Sequence, residues 1–414
     1  MTAPAQPGAD DAAVVRPPAE PYGRLFLRFL RFGSLAWGGP VAQIDMIRQE
    51  LVVQERWVSP DHFRRLLAIY QVLPGPEAHE MCVHFGMLAR GRPGGILAGL
   101  GFMLPGFVLM FLLSWLYLSF DLTGTPFQSV FLGIQPAVIA LIVRACHRIG
   151  GHCLVDPSLW GIAGAAAVGE LLGVSFWVTL PLAGLAYVVA AQRRWWRVAV
   201  LGAVFAAATW QLSPVLAGRE RMLAAPPALE AATTRVRQTD RAGVAELFTS
   251  GLRAGSLTFG GAYTAIPFLR TDAVERGRWM TEQDFLDGVA LSGVLPAPLI
   301  IFSTFVGFFG GGALGALAMT AGIFLPAFSF ALLFHKKLEL VVANPVLRHF
   351  LEGVTAGVVG LIAVTAVSLA LIGIPNGRAL MIFAVALTAA MRWKGKAAVP
   401  VLVLTAGLTG WAVM

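Results

Sequence analysis

Three side chains that can bind protons or cations share one face of an apolar segment. Glu77, Glu80 and His84 stand at positions i, i+3 and i+7, which places them on one side of a helix. Two carboxylates and an imidazole on such a face could bind a proton or a cation, or they could form salt bridges with arginines. His79-Glu80-x-x-x-His84 is not a zinc signature, because its histidines are five residues apart and diverge around the helix. We therefore expect no metal site.

Arginines recur around two pairs of glycines, and they could bind an anion. Arg31 precedes one Gly-Gly pair by about two helical turns and Arg48 follows it, and Arg253 and Arg270 stand in the same way around the other pair. Guanidinium groups that reach the glycines could donate paired hydrogen bonds to a tetrahedral oxyanion. Alternatively, these arginines border the membrane with their charged ends in water.

The same regions contain residues that break helices. One pair of breaks is Gly38-Gly39-Pro40 and Gly260-Gly261-Ala262, and the other is Leu73-Pro-Gly-Pro76 and Leu295-Pro-Ala-Pro298. A break frees backbone N–H groups at the positive dipole end of the next half-helix, which suits a small anion. Ordinary surface turns are the alternative for the Leu-Pro elements. The candidate substrate-binding residues are Arg31, Gly38, Gly39, Pro40, Arg48, Pro74, Gly75, Arg253, Gly260, Gly261, Arg270, Pro296 and Ala297.

These paired elements belong to a duplication of the chain. Gly33-Ser-Leu-Ala-Trp-Gly-Gly39 recurs as Gly255-Ser-Leu-Thr-Phe-Gly-Gly261, 222 positions later, and the offset also relates the arginines and the Leu-Pro elements. The acidic face is not repeated, because apolar residues replace it in the second half. We predict a disordered tail at 1–23, a first repeat at 24–192, a connecting transmembrane helix and polar linker at 193–245, and a second repeat at 246–414.

The composition is that of an all-α polytopic membrane protein. Of 414 residues, 57% are hydrophobic and 13% are charged, and mean hydropathy is +0.72. Soluble domains have roughly 25% charged residues, so about half of that charge is missing. The apolar runs have helix length and do not alternate as barrel strands would. The net charge of +8 sits in short clusters between these runs, which indicates membrane topology rather than nucleic-acid binding.

The positions of the basic residues predict that the repeats have opposite orientations in the membrane. The turn at Arg90-Gly-Arg92 is basic and its counterpart at 310–312 is neutral. In the next loop the second half is the more basic one, in the loop after that the first half, and in the last loop again the second half. The loop charges used are Arg144 and Arg148 in the first half, and Lys336, Lys337, Arg348, Arg378, Arg392, Lys394 and Lys396 in the second. We expect thirteen spans, or about ten if the broken segments are re-entrant. Inverted repeats with broken helices are typical of secondary transporters, whereas a purely structural duplication is the alternative.

Several long motifs, in order, resemble the chromate ion transporter family over about residues 24–412. They are Phe32-Gly-Ser-Leu-Ala-Trp-Gly-Gly-Pro40, Leu73-Pro-Gly-Pro-Glu-Ala78, the run from Gly94-Gly95 to Leu104-Pro-Gly106, Phe259-Gly-Gly-Ala-Tyr263 and Ser292-Gly-Val-Leu-Pro-Ala-Pro298. The resemblance implies a multi-pass protein of the bacterial plasma membrane that exports chromate, with sulfate as a possible second anion. The second half departs from the first at Ala262 and Ala297, which stand where the first half has Pro40 and Gly75.

From these observations we expect a secondary transporter that exports chromate and confers chromate resistance, with Glu77, Glu80 and His84 as a proton-coupling group. Sulfate or another oxyanion is the alternative substrate. A membrane-embedded chromate reductase and a receptor without transport are the alternatives of other classes, but no flavin, NAD or haem motif and no signalling domain is present in the sequence. We expect no cofactor, no ATP-binding loop and no nucleic-acid partner. The bilayer is a partner, and a homodimer is compatible with the Gly-rich faces.

Overall fold

The computed structural model describes residues 17, 20–37, 39–71, 73–120, 126–191, 242–259, 261–334, 344–393, 395 and 397–413. Regular secondary structure in these residues is helical, apart from one isolated bridge between Pro74 and Phe259. Most of the predicted tail and of the 193–245 connection lies outside the described residues. So do Gly38, Gly260, Lys336, Lys337, Lys394 and Lys396.

In its described residues, the first half contains seven α-helices. They are α1 (Tyr22–Ser34), α2 (Gly39–Ile47), α3 (Pro60–Tyr70), α4 (Glu77–Ser119), α5 (Pro126–Cys153), α6 (Pro157–Leu171) and α7 (Phe176–Ala191), with a π-helical segment (Arg48–Gln54) after α2. Polar caps fix several of the starts: Ser59 accepts a hydrogen bond from the His62 backbone N–H at α3, and Asp156 caps α6.

The second half repeats this order of elements. It contains α8 (Val244–Ser256), α9 (Ala265–Arg270), a π-helical segment (Thr271–Arg276), α10 (Glu282–Val294), α11 (Phe302–Phe334), α12 (Pro345–Gly373), α13 (Gly377–Arg392) and α14 (Ala398–Val413), with short 3₁₀ turns at Ala262–Thr264 and Leu299–Ile301. Even the irregular backbone recurs. Arg56 has a φ of 54° and Arg278 a φ of 52°, although non-glycine residues rarely adopt positive φ.

Helices α4 and α11 each fold back on themselves. The turn in α4 lies at Arg90 and Gly91, where Gly91 has a φ of 64° and a ψ of −160°. The turn in α11 lies at Gly311 and Gly312, where Gly312 has a φ of 61° and a ψ of −148°. Each helix is therefore two limbs, 77–90 and 91–119 in α4, and 302–311 and 312–334 in α11.

Close contacts hold these limbs together. A Cβ built on Gly86 would lie 2.4 Å from the carbonyl oxygen of Gly94, so the limbs of α4 touch through backbone. In α11 the hydroxyls of Thr304 and Thr320 are 2.8 Å apart. A first limb of 14 residues in α4 spans only about 21 Å and cannot cross a hydrocarbon core of about 30 Å, whereas the second limb can.

The short limbs pair with the preceding helices to form two re-entrant hairpins. In the first, the hydroxyl oxygen of Tyr70 in α3 lies 2.9 Å from Nδ1 of His84 in α4. In the second, the rings of Phe285 of α10 and Phe302 of α11 are 5.7 Å apart, edge to face. The tips of the hairpins are Leu73-Pro-Gly-Pro76 and Leu295-Pro-Ala-Pro298. The breaks predicted from sequence are therefore hairpin tips.

Each tip packs against the middle of the long limb of the other half. A Cβ on Gly106, midway along 91–119, would lie 2.4 Å from Cβ of Ala297 at the second tip. A Cβ on Gly75 at the first tip would lie 3.2 Å from Cβ of Ala327, within 312–334. The two tips consequently lie at the mid-depth of the long limbs.

Equivalent helices of the two halves run antiparallel where they touch. Cys146 of α5 lies against the carbonyl oxygen of Val359 of α12, while Ile139 lies against Gly373. In the long limbs, Gly95 lies against Leu332 and Gly99 against Phe328.

The last helices are exchanged between the halves: α5 packs against α13 and α14, and α12 packs against α6 and α7. By length and composition, four stretches of the described residues could span a membrane: Glu77–Ser119, Gln128–Cys153, Leu299–Leu333 and Pro345–Gly373. With the fold-back of α4 and α11, the long limbs supply the crossing parts of two of these stretches.

Candidate functional site

The predicted acidic face begins α4 directly after the first hairpin tip. Pro76 has an extended backbone and directly precedes the first helical residue, Glu77. Glu77, Glu80 and His84 are all buried, as is His79. Their position at the first hairpin tip places these ionisable side chains level with the middle of the long limbs, where burial of unpaired charge is expensive.

Three of the four carboxylate oxygens of this cluster lack hydrogen bonds. Both oxygens of Glu80 and Oε2 of Glu77 are buried without a hydrogen-bond partner in the described part of the chain. The Glu80 carboxylate lies beneath Gly75, where Oε1 would be 2.8 Å from a built Cβ. A buried carboxylate without a partner is stable when it carries a proton or when an opposite charge comes close.

Sequence reasoning gave His79 no role, yet it lies where the two halves meet. Its ring is 6.4 Å from that of Phe102 in α4, and 4.9 and 4.7 Å from those of Phe324 and Phe328 in α11. In the sequence, the available sign was that His79 lies on the side of the helix opposite Glu77, Glu80 and His84. The aromatic side chains come from distant segments, so the sequence did not show them together.

The first tip binds the second Gly-Gly element. The backbone N–H of Gly75 donates to the carbonyl oxygen of Thr258 at 2.8 Å, and Pro74 and Phe259 form the isolated bridge. Oε1 of Glu77 lies 3.9 Å from a Cβ built on Gly261, so the acidic cluster and this element are neighbours. Candidate residues Pro74, Gly75 and Gly261 are therefore brought together.

The matching contact on the other side is replaced by local hydrogen bonds. The equivalents of Gly75 and Thr258 are Ala297 and Ala36. The Ala297 N–H donates to the carbonyl oxygen of Leu295 at 2.9 Å, and the Ala36 carbonyl oxygen accepts from Nε2 of Gln43 at 3.0 Å. Pro296 and Ala297 lie at the second tip, while Gly39 and Pro40 begin α2. The site is asymmetric.

The repeated arginines lie among acidic side chains of their own half. Arg31 pairs with Glu50 and is about half exposed, at 56%. Arg253 lies 3.2 Å from Asp272. Arg270 pairs with Glu275 and Glu282, and Arg48 is exposed. The structure does not bring these four guanidinium groups to the hairpin tips.

Two other arginines lie inside a helix that is long and apolar enough to span the membrane. The sequence predicts that Arg144 and Arg148 lie in a loop, but α5 continues to Cys153, so that prediction is wrong for both. The helix continues because Ala145 and Ile149 are buried in the core between these arginines and the helix end. The charge of Arg148 acts on Glu77. In the sequence, the available sign of this pair was the i, i+4 spacing of Arg144 and Arg148, which puts both on one face of a helix.

The described residues contain no group of three or more His, Cys, Asp or Glu side chains that could hold a metal ion. The cluster beside the first hairpin tip consists of two carboxylates and two imidazoles, all buried. Such a set can exchange protons.

A family profile described as chromate transporter matches residues 23–225 and 245–411. The chromate transport protein of Pseudomonas aeruginosa is 55% identical over 403 residues, which cover 96% of this chain and 94% of that protein. The chromate transport protein of Cupriavidus metallidurans is 28% identical over 414 residues, 99% of this chain and 98% of that protein. An uncharacterized transporter of Bacillus subtilis, YwrB, is 34% identical over 124 residues, 28% of this chain and 63% of that protein. No solved structure matches this chain significantly. The resemblance inferred from the motifs is confirmed, and the chain belongs to the chromate transporter family.

Proposed function

We propose that this protein is a secondary transporter that exports chromate from the cytoplasm across the plasma membrane and thereby confers chromate resistance. The observation that carries the proposal is that each hairpin tip packs against the middle of the long limb of the other half, with the first tip bonded to the second half through Gly75 and Thr258. Broken backbone at the midplane between repeats is the usual place of a transporter's substrate. The names of the two long relatives indicate chromate.

We propose further that the repeats are inverted in the membrane. The antiparallel contact of α5 with α12, and of the long limbs with each other, supports this orientation. A negative-inside potential drives a dianion outward by about 2.3 kcal/mol per charge per 100 mV. Export therefore needs no energy source beyond the potential, although protons could add to it.

Glu77 and Glu80 are the proposed proton carriers, with His84 as the group that connects them to Tyr70. Their unpaired oxygens support a state with bound protons. Removal of a proton from this pair leaves negative charge next to Gly261 and the second half, which would change the affinity of the neighbouring space for an anion. Residues Pro74, Gly75, Gly261, Pro296 and Ala297 are proposed to shape that space.

Everted membrane vesicles test the proposal, because export appears in them as uptake. We expect uptake of radioactive chromate, and this uptake should rise when the lumen of the vesicles is made acidic. Sulfate should inhibit the uptake only if sulfate binds at the same site. Glu77→Gln and Glu80→Gln should abolish the response to the pH gradient, and Glu246→Gln, on α8 away from the tips, is the control. Uptake that is identical in these variants and in the wild type would reject proton coupling. Formation of Cr(III) without uptake would show a reductase instead.

A further inference from the structure

We infer that Arg144 and Arg148 of α5, together with Tyr263 of the second half, form the binding site for the tetrahedral oxyanion. The inference rests on the proposed function and assigns the substrate to residues outside the repeated motifs. In this inference, Arg144 and Arg148 provide the positive charge of the site, instead of the four repeated arginines.

The first argument is the position of the arginines along α5. Arg144 lies between Ile139, which is against Gly373 of α12, and Cys146, which is against the carbonyl oxygen of Val359. It therefore lies in the stretch where α5 contacts its equivalent α12, within a helix that is long and apolar enough to span a membrane. Arg148, one turn further on, is exposed. An arginine within a spanning helix faces protein or a water-filled cavity and marks an ion pathway.

The second argument is the absence of a protein counter-ion. Arg28, Arg31, Arg253 and Arg270 each have a carboxylate within ion-pair distance. Among the described residues, Arg144 and Arg148 have none, and Arg144 makes only a long hydrogen bond, 3.4 Å, to the carbonyl oxygen of Trp393. Two guanidinium groups in a membrane-spanning helix without carboxylates leave a net charge of two, which a dianion neutralises.

The third argument is the surrounding residues. Tyr263 is half-buried and follows the Gly-Gly element that binds the first tip, and the charges of both arginines act on it. The charge of Arg148 also acts on Glu77, which borders Gly261. The 262–264 turn and α5 both pack against α12, so Tyr263 and the two arginines lie on elements that share a neighbour. Guanidinium groups bind tetrahedral oxyanions through paired N–H donors, and a tyrosine hydroxyl adds a neutral donor. Glu77 forms no ion pair with Arg148, and it competes with the anion for this arginine only after it has lost its proton.

The test is chromate binding to the purified full-length protein in nanodiscs, measured by equilibrium dialysis with radioactive chromate, and transport in proteoliposomes. Arg144→Gln and Arg148→Gln should each raise the Kd about ten- to one hundred-fold, because each removes charge-assisted hydrogen bonds. Tyr263→Phe should raise it by a smaller factor. Arg378→Gln, an exposed arginine at the start of α13 and at the other end of that helix from Trp393, is the control and should leave binding unchanged.

Wild-type affinity in folded Arg144→Gln and Arg148→Gln proteins would overturn the inference while leaving chromate transport intact. Failure of the wild-type protein to bind or transport chromate would instead reject the proposed function. If the glutamine variants do not fold, Arg144→Lys and Arg148→Lys keep the charge and lose the planar fork. We expect weaker chromate binding in these variants, and an unchanged Kd in folded lysine variants would overturn the inference.

Discussion

Replacement of Gly75 by alanine tests the contact between the first hairpin tip and the second half. Gly75 has a φ of 151°, which L-residues rarely adopt, and strain of this kind costs about 1–3 kcal/mol. A Cβ would also lie 2.8 Å from Oε1 of Glu80 and 3.2 Å from Cβ of Ala327. Forcing a methyl group into a packed site costs about 1–3 kcal/mol more. We therefore expect Gly75→Ala to lower the free energy of unfolding by about 2–6 kcal/mol.

A double-mutant cycle separates the two contributions. Glu80→Ala removes the side chain that meets the new Cβ, so the Gly75→Ala change should cost about 1–3 kcal/mol less in that background. The assay is denaturant or thermal unfolding of purified protein in detergent, read by tryptophan fluorescence. Gly164→Ala, a helical glycine with open space around it, is the control and should be neutral or slightly stabilising. Equal stability of Gly75→Ala and wild type, or simple additivity with Glu80→Ala, would refute the reasoning.

Two further predictions concern buried and capping carboxylates. Tyr117→Phe removes the hydroxyl that lies 2.8 Å from Oδ2 of Asp287, which leaves Gln135, at 2.7 Å, as the remaining donor to this carboxylate. We expect the free energy of unfolding to fall by about 1–3 kcal/mol. An unchanged free energy of unfolding would show that the contact is not stabilising. At the start of α6, burial acts to raise the pKa of Asp156, but hydrogen bonds from the Tyr187 hydroxyl and from backbone N–H groups outweigh it and lower that pKa. Because the folded pKa is depressed, this stabilisation is present above the unfolded pKa of about 3.9 and is lost as pH falls through the folded value. The melting temperature of Asp156→Asn should therefore fall less than that of wild type between neutral pH and the acid range, and parallel curves would contradict this.

The chain's repeats could be predicted from sequence because a fixed offset relates unusual residues. The offset that matches the two Gly-Gly elements also matches Arg56 with Arg278, and both arginines have positive φ. The breaks at Pro76 and Pro298 were also predictable, because proline and glycine act on the local backbone. The helical class followed from the length of the apolar runs.

The packing of the helices could not be predicted in the same way. Local patterns predicted the turn at Arg90 but left open whether the segment before it crosses the membrane or is re-entrant. They also placed Arg144 and Arg148 in a loop, because charges interrupt the apolar run, whereas the helix continues to Cys153 with Ala145 and Ile149 buried against other helices. The same long-range packing decides which arginines pair with carboxylates.

The exchange of the last helices between the halves has a consequence for the order of events during biosynthesis. A Cβ on Gly133 of α5 would lie 2.4 Å from the carbonyl oxygen of Ala406, so α5 and α14 touch through backbone. Ribosomes add residues from the N-terminus, so α5 is complete long before α13 and α14 exist. The first half must therefore wait in the bilayer with one face of α5, next to Arg144 and Arg148, uncovered until residues 377–413 arrive. Truncation of residues 377–413 should consequently leave a protein that is inserted in the bilayer but not assembled.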